Sequence, residues 1–161
     1  MRTMVMRSML FAICALVLLM AMPSYADAAQ PSSGCSLGGA AIAFGTYDPL
    51  SATPLDTAGS LVYRCGQKEH NIMISLSQGG SGSFAARRMV AGVEQLFYNL
   101  YQNAGRTVIW GDGTGGSQAL FVRNPQGNNQ DITVPFFGRV TPLQNAGVGN
   151  YSDTITVTLT F

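Results

Sequence analysis

The fold is decided by the stretch Tyr151-Ser-Asp-Thr-Ile-Thr-Val-Thr-Leu-Thr-Phe161, in which threonine alternates with Ile155, Val157, Leu159 and Phe161. Side chains on a β-strand point alternately to opposite faces, so this segment has one apolar face and one hydroxyl face. Most of its residues are β-branched, which suits a pleated and half-buried surface. The pattern predicts a β-strand whose long apolar face is suited to the interior of a sheet.

The sequence ends at Phe161, and no return strand follows it. One interpretation is that the protein is a β-sandwich that simply ends on a strand. The other is that the strand meant to lie beside this one is not supplied by the chain. The remaining sequence has to decide between the two.

The first 26 residues have the order of a secretory signal. Two arginines precede an apolar run, residues 9–22, and small residues follow up to Ala28. Cleavage after Ala26 and cleavage after Ala28 both fit. The apolar run is short for a membrane span and no other run resembles one, so residues 27–161 are expected to form a single exported domain without a span. An uncleaved anchor helix is the alternative.

Charge argues against nucleic acid as a partner. Two of the nine Lys and Arg lie in the signal segment, which leaves seven against eight Asp and Glu, a net charge near −1. A nucleic-acid-binding domain is expected to carry a basic stripe. A weakly charged chain instead permits copies to pack closely together.

Two cysteines remain once Cys14 leaves with the signal segment. Cys35 and Cys65 are an even pair in an exported protein, which predicts one disulfide. In the loop-entropy account such a bond contributes about 3–4 kcal/mol. Metal binding or redox chemistry is the alternative, but the chain has no Cys-x-x-Cys motif and its single histidine is His70.

Short strand-like segments recur between Gly-rich and Pro-rich turns, and no segment has a convincing helical period. The predicted strands are residues 40–44, 60–65, 71–77, 95–101, 107–110, 131–140 and the terminal segment, with 87–92 as a short edge strand. Pro135 requires a bulge or an edge, because proline has no N–H for a ladder. The spacing predicts an all-β sandwich of immunoglobulin type.

No segment predicts an enzyme, a cofactor or a metal site. The glycine-rich loop 111–116 lacks the lysine of a phosphate loop and opens no helix, and Asp112 alone is too little for calcium. His70 is interpreted as a solvated surface residue. Trp110 is retained as a candidate surface-binding aromatic, although aromatic residues at strand spacing are more often core residues or cross-strand pairs.

Several segments together resemble the spore coat protein U domain family, whose best-known members are subunits of Csu-type archaic chaperone–usher pili. Their order and spacing cover nearly all of the chain after the signal segment. The matching pieces are Phe44-Gly-Thr-Tyr-Asp-Pro49, Cys65, Tyr98-Asn-Leu-Tyr101, Trp110-Gly-Asp-Gly-Thr114, Gly138-Arg-Val140 and the terminal segment from Gly149 to Phe161.

The resemblance implies an incomplete immunoglobulin-like β-sandwich that lacks its final strand and is completed by a donated one. In such pili a periplasmic chaperone lends a strand beside the last strand of the subunit, and at the outer-membrane usher the N-terminal extension of the next subunit replaces it. The expected partners are therefore a chaperone, an usher and other subunits. The expected acceptor groove is lined by Ile155, Val157, Leu159 and Phe161 on one wall and by Ile42 and Phe44 on the other.

The resemblance further implies an exported structural subunit of a cell-surface fibre that supports adhesion or biofilm formation. Two alternatives stay open: a ligand-binding adhesin domain at a fibre tip, and a coat or matrix protein that assembles outside any pilus. The segment before the first cysteine, residues 27–34, is shorter and less apolar than the usual extension. On that basis the subunit is expected to accept a strand but to donate poorly, which suits a position near a tip.

Overall fold

The structure is a computed structural model that describes residues 34–66, 71–123, 125 and 128–161. The predicted signal segment and His70 lie outside the described residues. Within the described residues, no helix has both the length and the apolar character needed to cross a membrane.

In the described residues, eight strands build two antiparallel sheets. They are β1 (Cys35–Ala41), β2 (Leu55–Cys65), β3 (Asn71–Leu76), β4 (Arg87–Ala91), β5 (Glu94–Tyr101), β6 (Leu120–Arg123), β7 (Asp131–Val140) and β8 (Val157–Thr160). The five-stranded sheet has the order β1-β2-β7-β5-β4, and the three-stranded sheet has the order β6-β3-β8. Helical structure in the described part of the chain is limited to one 3₁₀ turn, Gly79–Ser81. The predicted all-β, immunoglobulin-like sandwich is confirmed.

Both sheets contribute to one hydrophobic core because apolar residues occupy alternate positions on their strands. In the five-stranded sheet, Leu61 and Tyr63 of β2 are buried together with alternate residues of β5. In the three-stranded sheet, Ile72, Ile74 and Leu76 of β3 are buried on the same core. Burial of one such aliphatic side chain stabilises a fold by about 1.5–3 kcal/mol.

A disulfide joins the start of β1 to the end of β2. Cys35 and Cys65 are register partners across these strands, and their sulfur atoms are bonded. The predicted disulfide is confirmed.

Strand limits near the groove differ from the sequence predictions. The first strand ends at Ala41, so Ile42 and Phe44 follow it in a segment without regular structure. Residues 55–59 precede the predicted strand 60–65 but belong to β2, because they pair with residues 136–140 of β7.

Two further differences lie in the second half of the chain. The predicted strand 107–110 is reduced to isolated bridges from Ile109 to Tyr101 and from Trp110 to Gln118. In contrast, β6 was not predicted; it pairs with β3 through residues 120–123.

The terminal strand is an edge strand, not an interior one. Among the described residues β8 pairs only with β3, through residues 157–160. Upstream of it, Ser152 forms an isolated antiparallel bridge to Val90 of β4. The terminal segment therefore passes from the outer edge of the five-stranded sheet to the edge of the three-stranded sheet.

Candidate strand-accepting groove

An open groove lies between the edge strands of the two sheets. β1 is the edge of the five-stranded sheet, and β8 is the edge of the three-stranded sheet. At one end of the groove the two edges converge, since a Cβ placed on Gly34 would lie 3.0 Å from the ring of Phe161. Farther along, the segments that follow β1 and precede β8 frame a cavity.

The cavity has a volume of about 360 Å³ and is largely apolar. One wall is formed by residues 40–42 and Phe44, and the other wall by residues of the terminal segment between Tyr151 and Val157. The floor is formed by core side chains of both sheets, namely Leu61, Leu76, Met89, Tyr98, Leu100, Trp110 and Phe136.

The terminal wall keeps the alternation of its sequence. From Tyr151 to Leu159 the odd-numbered residues are half-buried, and the even-numbered serine and threonine residues are exposed. Ile155 and Val157 line the cavity. Leu159 packs against the core without lining the cavity, and Phe161 is 60% exposed beside Gly34. The structure thus brings together four of the six predicted groove residues: Ile42, Phe44, Ile155 and Val157.

The opposite wall is positioned by a glycine that the sequence analysis did not single out as a packing site. A Cβ on Gly138 of β7 would lie 2.6 Å from the Phe44 ring and 2.7 Å from Ile42 Cδ1. The absence of a side chain there lets both residues lie against the sheet. The Phe44 ring also packs edge-on against Tyr98, with 5.6 Å between ring centroids.

Trp110 belongs to the floor of the groove, and its predicted role as a surface-binding aromatic is wrong. Its side chain is fully buried, and its indole Nε1–H donates to the carbonyl of Ile74 at 2.9 Å. The ring also packs edge-on against Phe136, with 5.8 Å between centroids. A buried indole needs a hydrogen-bond partner, and the β3 backbone supplies it.

A buried arginine fixes the backbone beside Trp110. The Arg87 guanidinium is fully buried and donates to the carbonyl of Trp110 at 2.7 Å and to that of Ser77 at 2.8 Å. It also donates to Asn99 Oδ1 at 2.9 Å. Burial lowers the pKa of Arg87, while neutral acceptors satisfy its N–H groups. Sequence analysis placed this residue only in a short edge strand.

One carboxylate lies among the residues that line the cavity. Asp153 Oδ2 accepts a hydrogen bond from the Tyr98 hydroxyl at 2.8 Å, and Oδ1 accepts one from the Gly80 N–H at 3.0 Å. Burial and the hydrogen bond to Asp153 raise the pKa of Tyr98. Tyr98 therefore stays protonated and remains a hydrogen-bond donor to Asp153.

Within the part of the chain that the structure describes, the backbone of the terminal segment pairs along one edge and leaves the other edge free. The Thr156 carbonyl accepts from the Ser77 N–H at 2.9 Å, which directs the backbone groups of the threonine positions towards β3. In an antiparallel ladder the intervening residues direct their backbone groups the opposite way. Ile155, Val157 and Leu159 consequently present N–H and C=O groups to the groove, where an added strand can pair with them.

Comparison with known proteins adds a family, a relative and a solved structure. The Spore Coat Protein U domain family matches residues 23–158. Protein U of Myxococcus xanthus is 36% identical over 143 residues, which is 81% of this chain and 76% of that protein.

The solved structure is the chaperone–tip adhesion subunit pre-assembly complex from archaic chaperone–usher Csu pili of Acinetobacter baumannii. A chain of this complex superposes with a TM-score of 0.51 at 19% identity, over 79% of the present chain. The match spans 39% of the length of that chain. At this identity the likeness concerns the fold.

Proposed function

This chain belongs to the spore coat protein U domain family, and we propose that it is a structural subunit of a chaperone–usher fibre that receives a β-strand from a partner. The observation that carries the proposal is the open apolar groove between β1 and β8, whose facing edges are unpaired among the described residues. The donated strand lies beside the terminal segment and covers Trp110 and the rest of the groove floor.

The groove has the three features that strand addition requires. The edge at Ile155 and Val157 supplies backbone hydrogen bonds, and the cavity takes side chains from alternate positions of the added strand. The floor is apolar, so each aliphatic side chain inserted there contributes about 1.5–3 kcal/mol. An added strand also removes the exposed edge, which is otherwise an association hazard.

The proposed partners follow from this chemistry. A periplasmic chaperone provides the first strand after export, an outer-membrane usher is the site of exchange, and another subunit provides the strand that remains in the fibre. The fold likeness to a chaperone–tip adhesion subunit complex supports a chaperone as the first partner. Adhesion and biofilm formation are the proposed biology of the fibre at the cell surface.

Substitution within the terminal strand tests the proposal. Val157 lines the cavity, and Thr158 is exposed on the opposite face of the same strand. Val157→Asp and Thr158→Asp therefore place the same charge at neighbouring positions, one inside the groove and one outside it. After co-expression with an archaic-type chaperone from the same genome, wild type and Thr158→Asp are expected to purify as one-to-one complexes.

The groove variant should lose this complex. An ionised carboxylate buried without a partner costs about 3 kcal/mol or more, which weakens binding roughly 100-fold. Ile42→Asp tests the opposite wall in the same way, and formation of the Cys35–Cys65 disulfide reports that each variant has folded. Equal capture of all variants by the chaperone would refute the proposal.

A coat or matrix protein that assembles outside a pilus is the second candidate. The observation that favours it is the 36% identity to Protein U, against 19% to the pilus complex. In this case the groove receives a strand from another copy of the chain. Deletion of the usher separates the two: loss of the protein from the cell surface supports the fibre, and unchanged surface protein supports the coat.

A further inference from the structure

The groove contains a charge where its sequence pattern calls for an apolar residue. Asp153 lies on the same half-buried face of the terminal segment as Ile155 and Val157 and lines the same cavity. It is the one carboxylate among the lining residues, and the others are aliphatic, aromatic, methionine or serine.

The carboxylate is held in place from three directions. Oδ2 accepts from the Tyr98 hydroxyl at 2.8 Å, and Oδ1 accepts from the N–H groups of Gly80 and Thr154 at 3.0 and 2.8 Å. A Cβ on Gly79, whose φ is +65°, would collide with Oδ2, so the 3₁₀ turn packs directly on the carboxylate. These contacts preorganise the side chain.

These contacts leave acceptor capacity on Oδ2. An ionised carboxylate has about four lone-pair sites, and the hydrogen bonds above occupy three of them. Arg87 does not use the fourth, because its N–H groups donate to Ser77, Asn99 and Trp110. Water can serve the free site while the groove is open, but a strand that seals the groove excludes that water.

We propose that Asp153 selects the donated strand by requiring a hydrogen-bond donor, a lysine or arginine by preference, where the inward face of that strand passes it. The inference rests on the proposed strand-accepting function. A cation forms a charge-assisted hydrogen bond with Oδ2. An aliphatic side chain leaves the buried acceptor unmatched, and a carboxylate adds like-charge repulsion.

The same contact sets the register of the added strand. The apolar walls accept any alternating strand, and sliding it by two residues keeps the same side chains inward. Asp153 makes these registers unequal, because it is the one charged side chain that lines the cavity. A strand with one inward cation is therefore held at one register.

Peptide exchange tests the inference. The probe is a series of synthetic peptides that alternate valine and threonine, in which Lys, Leu or Glu replaces one inward valine at each position in turn. Each peptide is added to the chaperone-bound protein, and release of the chaperone is measured. At one position the Lys peptide is expected to displace the chaperone at least about tenfold more effectively than the Glu peptide.

Two variants distinguish selection of the added strand by Asp153 from a purely structural role of this residue. Asp153→Asn retains the shape of the side chain but removes its charge, so it should reduce the Lys-to-Glu preference to about twofold or less while the Leu peptide still exchanges. Tyr98→Phe removes one structural hydrogen bond but keeps the charge, so the Lys preference should remain. An unchanged Lys-to-Glu ratio in Asp153→Asn would overturn the inference.

The experiment also distinguishes this inference from the proposed function. Exchange by all peptides without any position that prefers Lys rejects the role of Asp153 and leaves the strand-accepting groove standing. Absence of exchange by every peptide, including the unsubstituted peptide of alternating valine and threonine, rejects the groove itself and the inference with it.

Discussion

At the scale of single residues, the groove floor depends on Arg87. Its planar guanidinium reaches three parts of the chain at once, through Asn99 on β5 and the carbonyls of Ser77, which follows β3, and Trp110. The Asn99 amide extends the network by donating to the Phe84 carbonyl at 2.7 Å. Because Arg87, Asn99 and Trp110 are buried, the network holds Trp110 where an added strand would cover it.

Arg87→Lys is expected to destabilise the protein although it keeps the charge. A lysine ammonium lacks the planar fork that reaches the three acceptors, so at least one buried acceptor loses its donor at a cost of about 1–3 kcal/mol. Urea unfolding followed by the fluorescence of Trp110, the single tryptophan, measures the change. Arg88→Lys is the matched control, because Arg88 is only half-buried. Equal unfolding midpoints for the two variants would contradict the role of Arg87.

Single residues also show which features the sequence could predict and which it could not. The alternation of the terminal segment was sufficient to predict that Ile155 and Val157 share a face with each other, because a period of two is a local property. The place of Trp110 on the groove floor was not predictable, because its partners Ile74 and Phe136 come from distant parts of the chain. Gly138 likewise carries no local sign that it makes room for Phe44.

At the scale of elements, the β2–β7 ladder carries an ion pair near each end. Asp56 is the register partner of Arg139, and Arg64 is the register partner of Asp131. Arg139 holds Asp56 by two hydrogen bonds, at 2.7 and 2.8 Å, and Arg106 adds a third contact at 3.3 Å. Opposite charges directly across a ladder stabilise the pairing of its strands.

This ladder predicts a pH dependence of stability. The hydrogen bond from Arg139 lowers the pKa of Asp56 below its ordinary value of 3.8. Since the pKa is lower in the folded state, the contribution is present above the unfolded pKa and is lost as pH falls through the folded pKa. Asp56→Asn should therefore lose less stability than wild type between about pH 5 and pH 2, by about 1 kcal/mol or less because the pair is partly exposed.

Urea unfolding midpoints at several pH values measure this effect, and Asp48→Asn on a surface turn serves as the matched control. Parallel pH curves for wild type and Asp56→Asn would show that the ion pair contributes nothing.

The elements themselves were predicted unevenly. β7 was found at its predicted residues, and β5 begins one residue before its predicted start, because the apolar and aromatic residues of both strands form long runs. Pro135 lies where the prediction requires, since the β5 ladder reaches β7 only at residues 137–140 and leaves Pro135 paired on the β2 side alone. β1 was misplaced because Gly38 and Gly39 have no strand propensity, and the pairing with β2 that defines it is long-range.

At the scale of the whole molecule, the two sheets are unequal, and this inequality creates the groove. Among the described residues five strands face three, and these strands leave the core between them incompletely covered along the line between β1 and β8. Side chains of this line are only half-buried although their sequence is apolar, as Ile155 and Val157 show. One more strand beside β8 would extend the smaller sheet and bury this face.

A strand supplied in the same chain should therefore stabilise the fold and keep it monomeric. An Asn-Gly turn followed by a strand of alternating valine and threonine, fused after Phe161, can fold back antiparallel to β8 as a hairpin. Its inward valines each contribute about 1.5 kcal/mol or more, and ordering of the added strand offsets part of this gain. The free energy of unfolding should rise by a few kcal/mol, measured through Trp110 fluorescence in urea, while gel filtration shows a monomer.

The control is the same extension with serine in place of the inward valines, which keeps the turn and the backbone but fills no pocket. Equal stability of the two fusions would mean that the groove does not bind apolar side chains. Stabilisation by the valine fusion alone would mean that an added strand covers the half-buried face between β1 and β8.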